Sequence, residues 1–120
     1  MQREIIRIFK NRQDFLDTLK NNPGLIFIKF GAEWCGPCKQ IDGYINERFS
    51  KLPNNVQPII IDIDDSIDVY AFLKSKKIVQ HIPTLLCYHN ENDHYVPDDI
   101  VSGSNITQLD AFFERCLDLI

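Results

Sequence analysis

The chain has 120 residues, the size of one domain, with 44 % apolar and 25 % charged side chains, a globular mixture that argues against disordered, collagen-like or low-complexity structure. Thirteen Lys and Arg against 17 Asp and Glu leave a formal charge of −4, which offers no basic face for displacing phosphate counterions, so nucleic acid is not an expected partner. No apolar run approaches the roughly 20 residues of a membrane helix, and Met1-Gln2-Arg3-Glu4 alternates charge too soon for a secretory h-region. A cytoplasmic location without membrane attachment is therefore the expectation. Four cysteines are too few for a disulfide-stapled scaffold, and we expect them to start out as thiols.

The hydrophobic period switches repeatedly between two and 3.6. Ile5 to Phe9 reads as a short strand. Asn11 then caps a helix carrying Phe15, Leu16 and Leu19, which stops at Asn21-Asn22-Pro23-Gly24. Leu25 to Phe30 is a near-continuous β-prone run, the pattern of a central strand covered on both faces. A second helix starts near Pro37 and runs to about Leu52. Val56 to Ile63 is another apolar strand, with Pro58 near its start. Ser66 or Asp65 caps a third helix over Ile67 to Lys77. Pro83 to Tyr88 and Tyr95 to Val101 read as an antiparallel hairpin around the polar turn Asn90-Glu91-Asn92-Asp93. In the last helix Ile106, Leu109, Phe112, Phe113, Cys116, Leu117 and Ile120 share one face, and Asn105 with Gln108 has capping-box spacing. Strands alternating with helices imply parallel β-α-β units, and the closing hairpin makes the sheet mixed. One α/β domain over residues 1–120 is expected, with about five strands flanked by about four helices.

The chemistry lies in Ala32-Glu33-Trp34-Cys35-Gly36-Pro37-Cys38-Lys39, between the buried strand and the second helix. Pro is favoured in a first helical turn, where its missing N–H had no partner. That placement puts Cys35 at a helix N-terminus and Cys38 one turn on. The helix macrodipole and unpaired N–H groups there favour thiolate over thiol. Cys35 is then the attacking sulfur, and Cys38 can attack the resulting mixed disulfide and close a Cys35–Cys38 bond.

Trp34-Cys35-Gly36-Pro37-Cys38-Lys39 after a hydrophobic strand resembles the active site of the thioredoxins. Ile61-Asp62-Ile63-Asp64-Asp65, Ile82-Pro83-Thr84 and Val101-Ser102-Gly103-Ser104-Asn105 resemble other segments of that family, over about Ile5 to Ile120. The resemblance implies a thioredoxin fold and a cis Pro83 facing the cysteines, with the Ile82 backbone pairing with an extended substrate. Trp34, Gly36, Pro37, Ile82 and Gly103 would form the apolar rim around Cys35. It further implies a monomeric protein-disulfide reductase with no bound cofactor, its electrons drawn from NADPH through a separate thioredoxin-reductase-type partner. An oxidase or isomerase using the same site, and an interaction module without redox turnover, are the alternatives.

The sequence departs from the family at Lys29, where thioredoxins usually bury an aspartate beneath the second cysteine. A lysine inside Leu25-Ile26-Phe27-Ile28-Lys29-Phe30 is anomalous for a buried strand; it is expected either to pair diagonally with Asp62 on the neighbouring strand or to pack its stem while its head reaches water. A positive charge beneath Cys38 would stabilise its thiolate and make the couple more oxidising. Gly31 stands where many members carry a second Trp, and Gly43 where the helix usually has a kinking Pro.

Other titratable groups receive plainer readings. His89 and His94 could complete a Cys2His2 set on paper, but His89 lies far beyond the ~12–15 residues that separate the pairs in a zinc finger, and no metal is expected. Cys87 and Cys116 read as small buried hydrophobes. His81, just before Ile82-Pro83, is the histidine that could sit at the groove rim and tune Cys35.

Overall fold

A computed structural model describes residues 2–120. Four strands and four helices alternate as α1 (Arg12–Lys20), β1 (Leu25–Gly31), α2 (Gly36–Ser50), β2 (Val56–Asp62), α3 (Ile67–Ser75), β3 (Thr84–His89), β4 (Asp99–Ser102) and α4 (Ile106–Leu117). The sheet order is β2-β1-β3-β4; β1 runs parallel to β2 and antiparallel to β3, which pairs antiparallel with β4. This is the mixed, helix-covered sheet that the alternation of periods implied.

β1 organises the molecule. All seven of its residues are buried, because helices cover both faces and successive side chains alternate between them. Ile26, Ile28 and Phe30 meet Phe15 and Leu19 of α1 and Val69 and Leu73 of α3. Leu25 and Phe27 meet Ile41, Ile45 and Phe49 of α2 and Leu109, Phe112 and Phe113 of α4. Asn11 and Asn105 cap α1 and α4 as expected, their side chains accepting from the backbone N–H groups of Asp14 and Gln108.

The expected strand at Ile5–Phe9 is reduced to one parallel bridge, Ile6 beside Ile59. The cause is chemical. Ile6 N–H donates to the Pro58 carbonyl and accepts, at its own carbonyl, from Ile60 N–H. The next rung would need an N–H from Pro58, which has none. The Glu4 carbonyl takes the Gln57 side-chain amide instead. At the other end Phe9 N–H leaves the sheet and donates to Ser66 Oγ over 3.0 Å. Ser66 therefore makes no side-chain cap on α3, although it occupies the cap position. β4 begins at Asp99 rather than Tyr95, since the Tyr95 ring packs edge-on against Phe72 and Pro97 brings no ladder donor.

α4 is tied down by two carboxylates. Asp110 accepts from Tyr44 and from Arg48 of α2, and Asp99 of β4 accepts from Arg115 at 2.9 Å. The Tyr44 and Arg48 bonds hold the Asp110 carboxyl below the usual carboxylate range, and the Arg115 fork does the same for Asp99.

Two outcomes follow for stability. Ser66→Ala leaves the buried Phe9 N–H without an acceptor and should cost about 1–2 kcal/mol in denaturant unfolding; a change within error would contradict the assignment. A carboxyl with a lowered native pKa contributes stability above its unfolded pKa and loses it as pH falls through the native one. Unfolding free energy should therefore drop below about pH 4, and Asp99→Asn should remove part of that slope.

Candidate active site

β1 ends at Gly31, and Ala32-Glu33-Trp34 carries the chain across the sheet end into α2. Cys35 is the N-cap of α2, with extended backbone, and its sulfur accepts the Cys38 N–H at 3.2 Å. Gly36 and Pro37 fill the first two helical positions. Nothing in that turn needs the N–H that Pro37 lacks. The two cysteines are joined as a disulfide with Cα atoms 5.3 Å apart, within the span such a bond permits. Cys35 is 6 % exposed and Cys38 2 %. Both are buried, and Cys35 is the one at the helix start, where N–H dipoles favour its thiolate once the bond is reduced.

Two further segments carry the other residues of the expected groove, Ile82-Pro83 before β3 and Gly103 after β4. The Ile82–Pro83 peptide is cis, as the resemblance implied, and the Ile82 carbonyl lies 3.9 Å from the Cys35 sulfur. Gly103 adopts φ +96°, a conformation side chains rarely take, and its N–H donates to the Pro83 carbonyl at 2.9 Å. Thr84 Oγ1 donates to the His81 carbonyl at 2.7 Å and bonds Ser102, bracing the loop from behind. Trp34 is 67 % exposed and would swing freely, but its indole N–H donates to Asp64 at 2.8 Å. The sequence reading missed Asp64; only the requirement that an indole N–H find an acceptor points toward it. His81 is exposed and leads into Ile82.

Lys29 is buried as the strand pattern required, but its partner is not Asp62. Lys29 stands opposite Ile60 and Gly31 opposite Asp62, which sets Asp62 one step further along the same face. The Asp62 carboxylate accepts the Asp64 N–H at 2.9 Å and closes the turn after β2. The Lys29 ammonium pairs instead with Asp42 of α2. Asp42 follows Cys38 by one helical turn, so the two share the face packed on β1. Lys29, Gly31, Cys38, Asp42 and Asp62 line a polar opening of about 500 Å³ behind the disulfide.

The remaining cysteines stand apart from this chemistry. Cys87 and Cys116 are free and fully buried. A hydrogen bond with Cys116, burial, and the charges of Asp98 and Asp99 push the Cys87 thiol far above its ordinary value, which makes it a poor nucleophile. His89 and His94 use their Nδ1 atoms within their own turns, accepting from Glu91 and Val96. Among the described residues no group of three or more His, Cys, Asp or Glu is placed to hold a metal ion.

Comparison with known proteins agrees with this geometry. The family model for thioredoxin matches residues 7–115. The chain is 32 % identical over 94 residues to Thioredoxin 3 of Plasmodium falciparum, covering 78 % of this chain and 49 % of that protein. Against the mitochondrial thioredoxin of Mus musculus it is 31 % identical over 104 residues, covering 87 % and 58 %. The chain thus spans about half the length of these curated relatives. The solved structure of Trichomonas vaginalis thioredoxin superposes with a TM-score of 0.73 at 25 % identity, over 92 % of this chain and 96 % of that one. With its Cys35–Cys38 pair at the start of α2 and a cis proline beside it, this chain belongs to the thioredoxin family.

Proposed function

We propose that the protein is a thiol–disulfide oxidoreductase that reduces protein disulfides through a Cys35/Cys38 cycle. The observation that carries this reading is the Cys35 sulfur, seated at the N-terminus of α2, accepting the Cys38 N–H and bonded to its neighbour one turn on.

In the reduced protein the Cys35 thiolate attacks one sulfur of a substrate disulfide. A Cys35–substrate bond forms and the other substrate sulfur leaves as thiolate. Cys38 then loses its proton and attacks Cys35. The Cys35–Cys38 bond forms, the second substrate thiolate leaves, and both products take protons from solvent. Two electrons have passed from the cysteine pair to the substrate. The Cys35–Gly36–Pro37–Cys38 turn keeps the two sulfurs within reach, so the second attack is intramolecular.

The groove suits an extended polypeptide. The Ile82 backbone beside the sulfur offers pairing to a strand-like segment, while Trp34, Gly36, Pro37 and Gly103 supply an apolar rim. His81 adds a titratable side chain at the approach to Ile82. The hydrogen bond to Asp64 orients the Trp34 ring at this rim. Regeneration falls to a separate reductase of the thioredoxin-reductase type drawing on NADPH, and no bound cofactor enters the cycle. No described helix is long and apolar enough to cross a membrane; a monomer acting in the cytoplasm is the reading we adopt.

Reduced wild-type protein should reduce insulin disulfides catalytically. Cys35→Ser should bring that rate to background, and Cys38→Ser should accumulate covalent protein adducts that dithiothreitol releases. Turnover persisting in Cys35→Ser would reject the mechanism.

A further inference from the structure

Lys29 presents a physical problem that the exchange reaction does not by itself resolve. Its side chain is 6 % exposed, and a buried ammonium is tolerated only with a partner. The partner, Asp42, is 51 % exposed. Water therefore screens the carboxylate far more than the ammonium, and the pair does not cancel within the site. A net positive field remains on the buried side.

Cys38 is on that buried side. A Cβ placed on Gly31 would lie 3.3 Å from the Cys38 sulfur and 3.7 Å from Lys29 Cε. The missing side chain of Gly31 is thus what lets the lysine stem and the resolving sulfur approach the same point. β1 alternation puts Lys29 and Gly31 on one face, and helical spacing puts Cys38 and Asp42 against it. The other charged groups around the opening come from each element that packs there. Glu33 and Lys39 are exposed, and the Asp62 carboxylate is engaged with the Asp64 N–H. Lys29 is the buried charge among them.

We infer that Lys29 and Asp42 act together on the resolving sulfur, Lys29 as a positioning cation that favours the Cys38 thiolate and Asp42 as the counter-ion that holds the ammonium in place and offsets part of its field. The inference rests on the dithiol cycle proposed above. Its effect falls on the second step. When the mixed disulfide stands on Cys35, the Cys38 thiol releases its proton to solvent through the opening, and its electron pair forms the bond to Cys35 as the substrate thiolate departs. A cation behind Cys38 promotes that deprotonation and favours the dithiol form at equilibrium.

Three full-length variants, Lys29→Met, Asp42→Asn and the double variant, separate this role from a structural one. For each, the Cys35–Cys38 equilibrium with glutathione and the pH dependence of mixed-disulfide resolution are measured. Lys29→Met should raise the pH midpoint by roughly one unit and shift the equilibrium about tenfold toward the disulfide. Asp42→Asn removes the negative charge but keeps a side-chain oxygen that accepts from the ammonium, so it should shift both in the opposite direction, with the double variant between the two. A salt bridge of purely structural importance would lower stability in both single variants and leave both readouts unmoved, which would overturn the inference, as would shifts of the same sign. Asp42 lies half in solvent, so Asp42→Asn decides the matter alone should Lys29→Met fail to fold. The glutathione equilibrium is readable whatever the substrate is, so a wild type that leaves insulin intact counts against the reductase reading and not against this one.

Discussion

The hydrogen bond from the Cys38 N–H to the Cys35 sulfur is the contact on which the rest of the site depends. It exists because a strand buried on both faces must end where its covering helices end, and α2 must begin at that point. At such a junction the first N–H groups of the helix have no intrahelical acceptor. A sulfur placed there satisfies one of them. The same geometry that completes the helix cap also prepares the nucleophile, so local folding and reactivity share one cause. Loops then close around it: the cis Ile82–Pro83 peptide from one side, Gly103 behind it, and Trp34 pinned by Asp64 on the other.

The two faces of β1 divide the labour of the fold. One face carries only large apolar side chains and joins α1 and α3 into an apolar core. The other begins the same way at Leu25 and Phe27 but ends in Lys29 and Gly31, under the first turns of α2. A charge and a gap thus stand where packing alone would favour two apolar residues. The cost of burying an ammonium is several kcal/mol before its partner is counted. Asp42 offsets it only in part, because the carboxylate stays in contact with water. The residual field falls on the side of the resolving sulfur, and this makes the site electrostatically asymmetric behind Cys38 as well as in front of Cys35.

Much of this was legible from residue order. The caps at Asn11 and Asn105, the doubly buried strand at Leu25–Phe30 and the placement of Cys35 at a helix start each follow from local chemistry. The failures have local causes too. The apolar pattern of Ile5–Phe9 signals a strand, but a strand needs a neighbour with a donor at every second position, and Pro58 withholds one. Tyr95 reads as the start of a strand until Phe72 of α3 claims its ring. The pairing of Lys29 with Asp62 assumed that the nearest acid across the sheet would win. Register set Asp62 one step too far, and its carboxylate was already needed by the turn after β2. A partner on α2 required knowing how the helix lies across β1, which no sequence period encodes.

The most direct test of the central claim is the pH dependence of alkylation in the reduced protein, read residue by residue by mass spectrometry. Cys35 should be modified first and reach half its maximal rate well below the ~8.5 of an ordinary cysteine, while Cys87 stays unmodified until the protein is denatured. Modification of Cys38 ahead of Cys35, or a Cys35 midpoint no lower than that of a free thiol, would contradict the claim.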